Sequence, residues 1–252
     1  MYTDLIKANL NLYAVLKNLE DLVRYDEECA RNAANWEISI QFKVRNGPRA
    51  YIAFSKGACT VDRGLVKRPS IVLYFFSPGH LNRMFDGKAM PVILKGFTKL
   101  GFLTKDFDAL TKKLEYYLKP TPELLAKKDY MKVNTCFTIT TATFALAEIA
   151  MFDPIGKLLA GHAKGTLMLS VLPDGPALGL NFDHGNAVAR KGKPDKPMAA
   201  MIFKDMKSAN DILNAKVDTF SAVVKGNLML RGQIGMIDTV GTLLDRIPLY
   251  LS

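Results

Sequence analysis

A chain of 252 residues that is 49% hydrophobic and 23% charged is globular in composition, neither disordered nor embedded in a membrane, and its length suits two domains. The net charge of +10 favours anionic partners, but the cations are spread along the chain without interleaved aromatics, which is not the footprint of a nucleic-acid surface. Cys29, Cys59 and Cys136 have neither the number nor the spacing of a disulfide framework or a paired metal motif. They read as small buried hydrophobes of a reducing cytosol.

The start, MYTDLIKANL, carries acidic Asp4 and no basic segment ahead of an apolar run, so it is not a signal peptide. Leu5, Leu12, Val15, Leu16, Leu19, Leu22 and Val23 form the stripe of a long helix, with Thr3 as its expected N-cap. Residues 36–45 then alternate strictly. Trp36, Ile38, Ile40, Phe42 and Val44 point one way and Glu37, Ser39, Gln41, Lys43 and Arg45 the other, which is a half-buried strand. Two more short strands with glycine-containing turns follow, then a basic loop with Arg63, Lys67 and Arg68, and a fourth strand at 71–76. A helix at 77–85, a last short strand and an amphipathic helix close the unit. The proline pairs of Lys119-Pro120-Thr121-Pro122 and the charged turn Lys127-Lys128-Asp129 mark a join, giving units 1–125 and 126–252.

The second unit repeats the first. A displacement of 128 residues carries Gly47-Pro48 onto Gly175-Pro176, Phe54 onto Phe182, Gly57 onto Gly185, Phe75 onto Phe203, Asn82 onto Asn210 and Lys88 onto Lys216. A further shift of two aligns Lys95-Gly96 with Lys225-Gly226. Leu167, Leu169 and Val171 alternate like the first strand, but at a displacement of 127. A slip inside a strand would turn every side chain to the wrong face, so the extra residue belongs in the turn at Pro173-Asp174. The opening helix of this unit is expected at 137–152, its fourth strand at 199–203 and the next helix at 206–213. Arg190, Lys191, Lys193 and Lys196 stand where the first basic loop stood. Residues 133–152 are apolar enough to suggest a membrane span, but Asn134, Glu148, the threonines and the stop at Asp153-Pro154 favour a packed core helix. Consecutive strands followed by helices imply an α+β class, each unit a mostly antiparallel sheet covered on one face.

The stretch Ser221-Ala222-Val223-Val224-Lys225-Gly226-Asn227-Leu228-Met229-Leu230-Arg231-Gly232 resembles the sterol carrier protein type-2 (sterol-transfer) family: a small apolar run, a glycine, an alternating strand and a glycine before the last helix. Ser208-Ala209-Asn210-Asp211-Ile212-Leu213-Asn214-Ala215-Lys216 is similar to that family's preceding helix and turn. The resemblance covers residues 165–247 well and 36–118 more weakly, since Lys95-Gly96-Phe97-Thr98-Lys99-Leu100-Gly101 is shorter between its glycines. It implies a five-stranded sheet with helices over one face and an apolar tunnel that takes sterols, fatty acyl chains, acyl-CoA or isoprenoids without catalysis. By position the second tunnel is walled by Ala209, Ile212, Leu213, Leu228, Leu230, Met236, Val240 and Leu244. The first is walled by Leu81, Met84, Phe85, Leu100, Phe107 and Leu110, whose phenylalanines partly fill it. Met198, Met201, Met206, Met229 and Met236 suit an adaptable apolar wall.

Three functions follow as expectations: a lipid binding or transfer protein, an accessory factor presenting an apolar intermediate such as a quinone precursor to partner enzymes, or an enzyme acting on a held lipid. The third needs a reactive polar group in the cavity. The chain has no G-x-S-x-G, H-E-x-x-H, Walker loop or G-x-G-x-x-G, and His80, His162 and His184 occupy non-equivalent places, so no cofactor or metal is expected. Asp86, Asp106 and Asp108 read as helix-end residues rather than paired carboxylates. The basic loops are candidates for transient contact with anionic headgroups. The terminal Pro248-Leu249-Tyr250-Leu251-Ser252 is not a peroxisomal tripeptide, and a cytoplasmic setting is expected.

Overall fold

The computed structural model describes residues 2–251 and divides into two units between Tyr116 and Tyr117. The first unit opens with helix α1 (Tyr2–Leu10), which continues through a π turn (Asn11–Val15) and a 3-10 turn (Leu16–Asn18) into α2 (Leu19–Tyr25). The change of winding falls between two buried asparagines. Asn9 donates to the Leu5 carbonyl at 2.7 Å and Asn18 to the Val15 carbonyl at 3.0 Å, competing with the backbone for its own acceptors. Thr3 lies inside α1 and is not its cap.

Helix α3 (Glu27–Ala33) is capped by Asp26, whose carboxylate accepts from Cys29 N at 3.0 Å. Then come β1 (Ile38–Val44), β2 (Arg49–Ser55), β3 (Ala58–Arg63), β4 (Ile71–Phe75), α4 (Pro78–Phe85), β5 (Val92–Lys95) and, after short 3-10 and π turns, α5 (Asp108–Leu118). The second unit contains α6 (Pro122–Leu125), α7 (Lys128–Phe152), α8 (Pro154–Gly161), β6 (Lys164–Val171), β7 (Ala177–Asp183), β8 (Asn186–Lys191), β9 (Ala199–Phe203), α9 (Met206–Leu213), α10 (Thr219–Val224), β10 (Leu228–Gly232) and α11 (Ile234–Leu244).

The sheet orders are β3-β2-β1-β4-β5 and β10-β9-β6-β7-β8. Three pairings in each are antiparallel, but β1–β4 and β6–β9 are parallel, so both sheets are mixed. Register confirms where the extra residue sits. Ile40 pairs with Ile71 and Val44 with Phe75, while Leu167 pairs with Ala199 and Val171 with Phe203, so β1 and β6 are displaced by 127 and β4 and β9 by 128. The lengthening falls in the turn holding Pro173 and Asp174.

Two conserved-offset residues gain a physical meaning here. Asn82 and Asn210 are buried on α4 and α9, and each ties its helix to the opening one. Asn82 donates to the Asp4 carbonyl at 3.0 Å and accepts from Asn11 at 3.2 Å; Asn210 donates to Asn134 at 2.8 Å and Thr135 at 2.9 Å. Such groups are costly to bury unpaired, so they fix the helix pairing rather than merely permit it.

Two expectations need correction. Lys95-Gly96 is not the counterpart of Lys225-Gly226: the first pair ends β5, whereas the second precedes β10. The counterpart of Gly96 is Gly232. Both have positive φ (96° and 87°), and a Cβ on either would meet the chain before the fourth strand, 2.8 Å from Ser70 O in one case and 2.1 Å from Met198 O in the other. The connection from α9 to β10 is longer than that from α4 to β5 and makes room for α10, which displaced the sequence match. Second, α7 starts at Lys128 rather than at 137, because its polar first turns hide the periodicity. It is the one helix among the described residues long and apolar enough to cross a membrane, but 67% of that window is buried in the unit, as in a core helix.

Candidate ligand site

The inner face of the second sheet is built by period-two alternation. Leu167, Leu169 and Val171, Leu178, Leu180 and Phe182, and Ala199, Met201 and Phe203 are all buried, and register places Leu228 beside Phe203 and Leu230 beside Met201. Asp205 caps α9 by accepting from Ser208 N at 2.7 Å, so the helix starts after a two-residue link from β9 and packs back over it, as does α11. Helix α10 packs on β10, the edge strand.

The eight predicted wall residues therefore do come from the elements around β9 and β10. Ala209, Leu228, Met236 and Val240 are buried, and Ile212, Leu213 and Leu244 are half-buried. Leu230 is 37% exposed although its register partner Met201 is only 4% exposed. The helical layer closes over β9 and not over the far end of β10. Of the methionines, Met201 and Met236 are buried, Met206 is half-buried, and Met198 and Met229 are exposed, so the expected methionine wall is only partly assembled.

In the first unit Leu81 and Leu110 are buried, Met84, Phe85 and Phe107 are half-buried, and Leu100 is exposed, outside any wall. Aromatic rings occupy the space near the closing segment. Phe102 meets Trp36 edge-on at 5.0 Å, lies 6.5 Å from Phe54 and stacks on Phe107 at 6.3 Å. Phe102 was not legible as a site residue, because the π turn that aims it (Phe102–Phe107) has no pattern in sequence.

Two clefts open on the first unit. One, of about 370 Å³, is polar, with Asp4, Lys7, Arg83 and Asp86 on its walls and a 3.2 Å ion pair between Lys7 and Asp86. The other, of about 340 Å³, is floored by Cys29, Trp36, Leu110 and Tyr116. Burial, helped by the Asp26 carboxylate, pushes the Cys29 thiol up to about 12, so it is no nucleophile at neutral pH. All three cysteines are buried thiols.

The basic loops are held against the outer sheet face. Gln41, buried, donates to Gly64 O at 2.9 Å and accepts from Val66 N at 2.9 Å; Gly179 leaves room for Pro194. Arg63 lies 3.8 Å over the Tyr13 ring, Lys191 is half-buried, and Lys67, Arg68, Arg190, Lys193 and Lys196 are exposed. Asp86 follows α4, Asp108 pairs with Lys112 at 2.7 Å and Asp106 lies in the π turn, so none of the three is an N-cap. The His80 ring bonds Phe76 N at 3.2 Å and Met90 O at 2.9 Å. Among the described residues no cluster of three His, Cys, Asp or Glu could hold a metal ion.

One polar centre was missed in sequence. Asp153, fully buried, accepts from Gly156 N at 2.7 Å, from Arg246 Nε at 2.6 Å and Nη2 at 2.7 Å, and from the Tyr250 hydroxyl. The Asp-Pro step signals the cap, but nothing in sequence signals the arginine 93 residues away.

No protein-family model and no curated protein matches the sequence. Solved structures with a similar fold include sterol carrier protein 2, at 20% identity over 41% of this chain and 91% of that one (TM-score 0.34). The sterol carrier protein domain 2 of Helicoverpa armigera matches at 17% identity over 43% and 87% (TM-score 0.36). The ubiquinone synthesis protein UbiJ-SCP2 matches at 17% identity over 40% and 86% (TM-score 0.33). The likeness is thus to sterol-carrier-type domains, each match taking in about two fifths of this chain.

Proposed function

We propose that the protein is a non-catalytic carrier built from two copies of one module, and that the second copy holds an apolar ligand between β9–β10 and helices α9 and α11. The observation that carries this reading is the incomplete closure at β10, where half-buried Ile212, Leu213 and Leu244 and exposed Leu230 continue an apolar interior to the surface. Enclosing a chain of about fifteen methylenes is worth on the order of 12 kcal/mol gross at ~0.8 per group. Lost motion removes several kcal/mol of it, which leaves useful affinity without a polar anchor. The ligand class is therefore a fatty acyl chain, sterol or isoprenoid. The first copy, with Trp36, Phe54, Phe102 and Phe107 packed together, is the weaker binder.

Leu213→Trp tests this. The substitution keeps the site apolar and fills it. An open site loses binding of a fluorescent fatty acid with little loss of stability. A filled core gives the reverse, destabilisation of ~1–3 kcal/mol and no binding in the parent protein to lose.

A further inference from the structure

Residues 87–105 contain Lys88, Lys95, Lys99 and Lys105 and no acidic residue. All four lysines are exposed, and none has a salt-bridge partner among the described residues. The same segment exposes Met90 (80%), Val92, Leu94, Phe97 (64%) and Leu100. Single exposed leucines are ordinary, but five large apolar side chains within eleven residues at one sheet edge are not. Their placement follows from the register. Ile93 pairs with Leu73, which is buried, so Val92 takes the opposite face of β5 beside Tyr74, and Leu94, left unpaired by the bulge opposite Val72 and Leu73, is 54% exposed. Tyr74 in turn meets exposed Phe76 edge-on at 5.5 Å, and the His80 ring, stacked on Phe76, holds the Met90 carbonyl. The patch is therefore preformed rather than a loose loop.

The second unit exposes apolar side chains at the same edge without the same charge, since Lys225 and Arg231 are matched by exposed Asp218 and Asp238. Phe220 and Val224, four apart on α10 and opposite buried Ala222, are exposed, as is Ile234.

We propose that this edge of the first unit, β5 with residues 87–105, docks on a bilayer containing anionic phospholipid. Charge selects the occupant. The four lysines outnumber the flanking Asp86, Asp106 and Asp108, of which Asp86 pairs with Lys7 and Asp108 with Lys112, so the patch is cationic and repels a second copy of a chain of net charge +10. A bilayer offers phosphate to the lysines and a hydrocarbon boundary to Phe97 and Leu94 within the ~5–10 Å that an interfacial element enters. The docking is independent of whether the interior carries a lipid, and it places membrane contact at edge strand β5 rather than at the loops of Arg63 and Arg190.

The test is co-sedimentation with phosphatidylcholine vesicles, with and without phosphatidylserine, at low and high salt. The parent protein binds the anionic vesicles, and salt weakens the binding. Lys95→Gln with Lys99→Gln lowers partition at least tenfold, at about fivefold per lysine. Leu94→Ser with Phe97→Ser, and separately Met90→Ser, lower it further at high salt, where the apolar part dominates. Lys193→Gln with Lys196→Gln leaves it unchanged. Circular dichroism and fatty-acid binding of every variant match the parent. The proposal is overturned if the parent ignores anionic vesicles, or if the loop variant loses binding while the edge variants keep it. It is equally overturned if the edge variants change only the oligomeric state in size-exclusion chromatography.

Discussion

Asp153→Asn removes a charge from the most enclosed ionic centre of the second unit while keeping a side chain that still caps α8. Burial alone would raise the Asp153 carboxyl; hydrogen bonds from Arg246, Tyr250 and the Gly156 amide outweigh it and hold the group at about 2, against an ordinary 3.8. At 1.36 kcal/mol per unit that difference contributes about 2 kcal/mol. Because the folded value lies below the ordinary one, the contribution is complete above about pH 4 and is lost as pH falls toward 2. Arg246, one-fifth exposed, is left without its carboxylate in the variant, and this adds to the loss rather than reversing it. Urea denaturation followed by far-UV circular dichroism from pH 6 to pH 2 measures the effect. Trp36, the only tryptophan, lies in the first unit, and its fluorescence serves as an internal control. The expected result is a parent–variant gap of ~2–3 kcal/mol at pH 6 that closes by pH 2, with an unshifted Trp36 transition. A gap of constant size across that range would refute the role given to the ionised carboxylate.

Ala215 sits at φ 55° after α9, where the first unit has Gly87 at 70°. Ala215→Gly should relieve the left-handed strain and raise the denaturation midpoint of the second unit by the equivalent of about 1 kcal/mol. Gly232→Ala should do the opposite: its Cβ would lie 2.1 Å from Met198 O at a φ of 87°, and the second unit should lose several kcal/mol or fail to fold, read by circular dichroism.

The strands and the helix after the fourth strand were legible because alternation, glycine turns and a constant displacement all pointed the same way. Helix α9 falls where it was expected, at Met206–Leu213, and β9 at Ala199–Phe203. The misassigned glycine pair shows the limit of such matching. Lys-Gly recurs by chance at 225–226, while the glycine with a structural duty, Gly232, is identified only by the chain that passes against it. Parallel pairing of β1 with β4 is equally silent in sequence, since an alternating strand looks the same with either neighbour. Sequence could offer the candidate walls only as apolar positions, and the exposure of Leu100 and Leu230 depends on how far the helices reach. The ring cluster at Phe102 and the Asp153–Arg246 pair are long-range contacts with no local signature.

The central claim, that the second unit encloses an apolar ligand, is tested most directly by native mass spectrometry of freshly purified protein, before and after extraction with organic solvent. A carrier shows a mass adduct that extraction removes, the extract contains a lipid, and the emptied protein takes up a fluorescent fatty acid that Leu213→Trp excludes. Bare protein mass before extraction, together with no uptake of the fluorescent fatty acid by the parent chain, would contradict it.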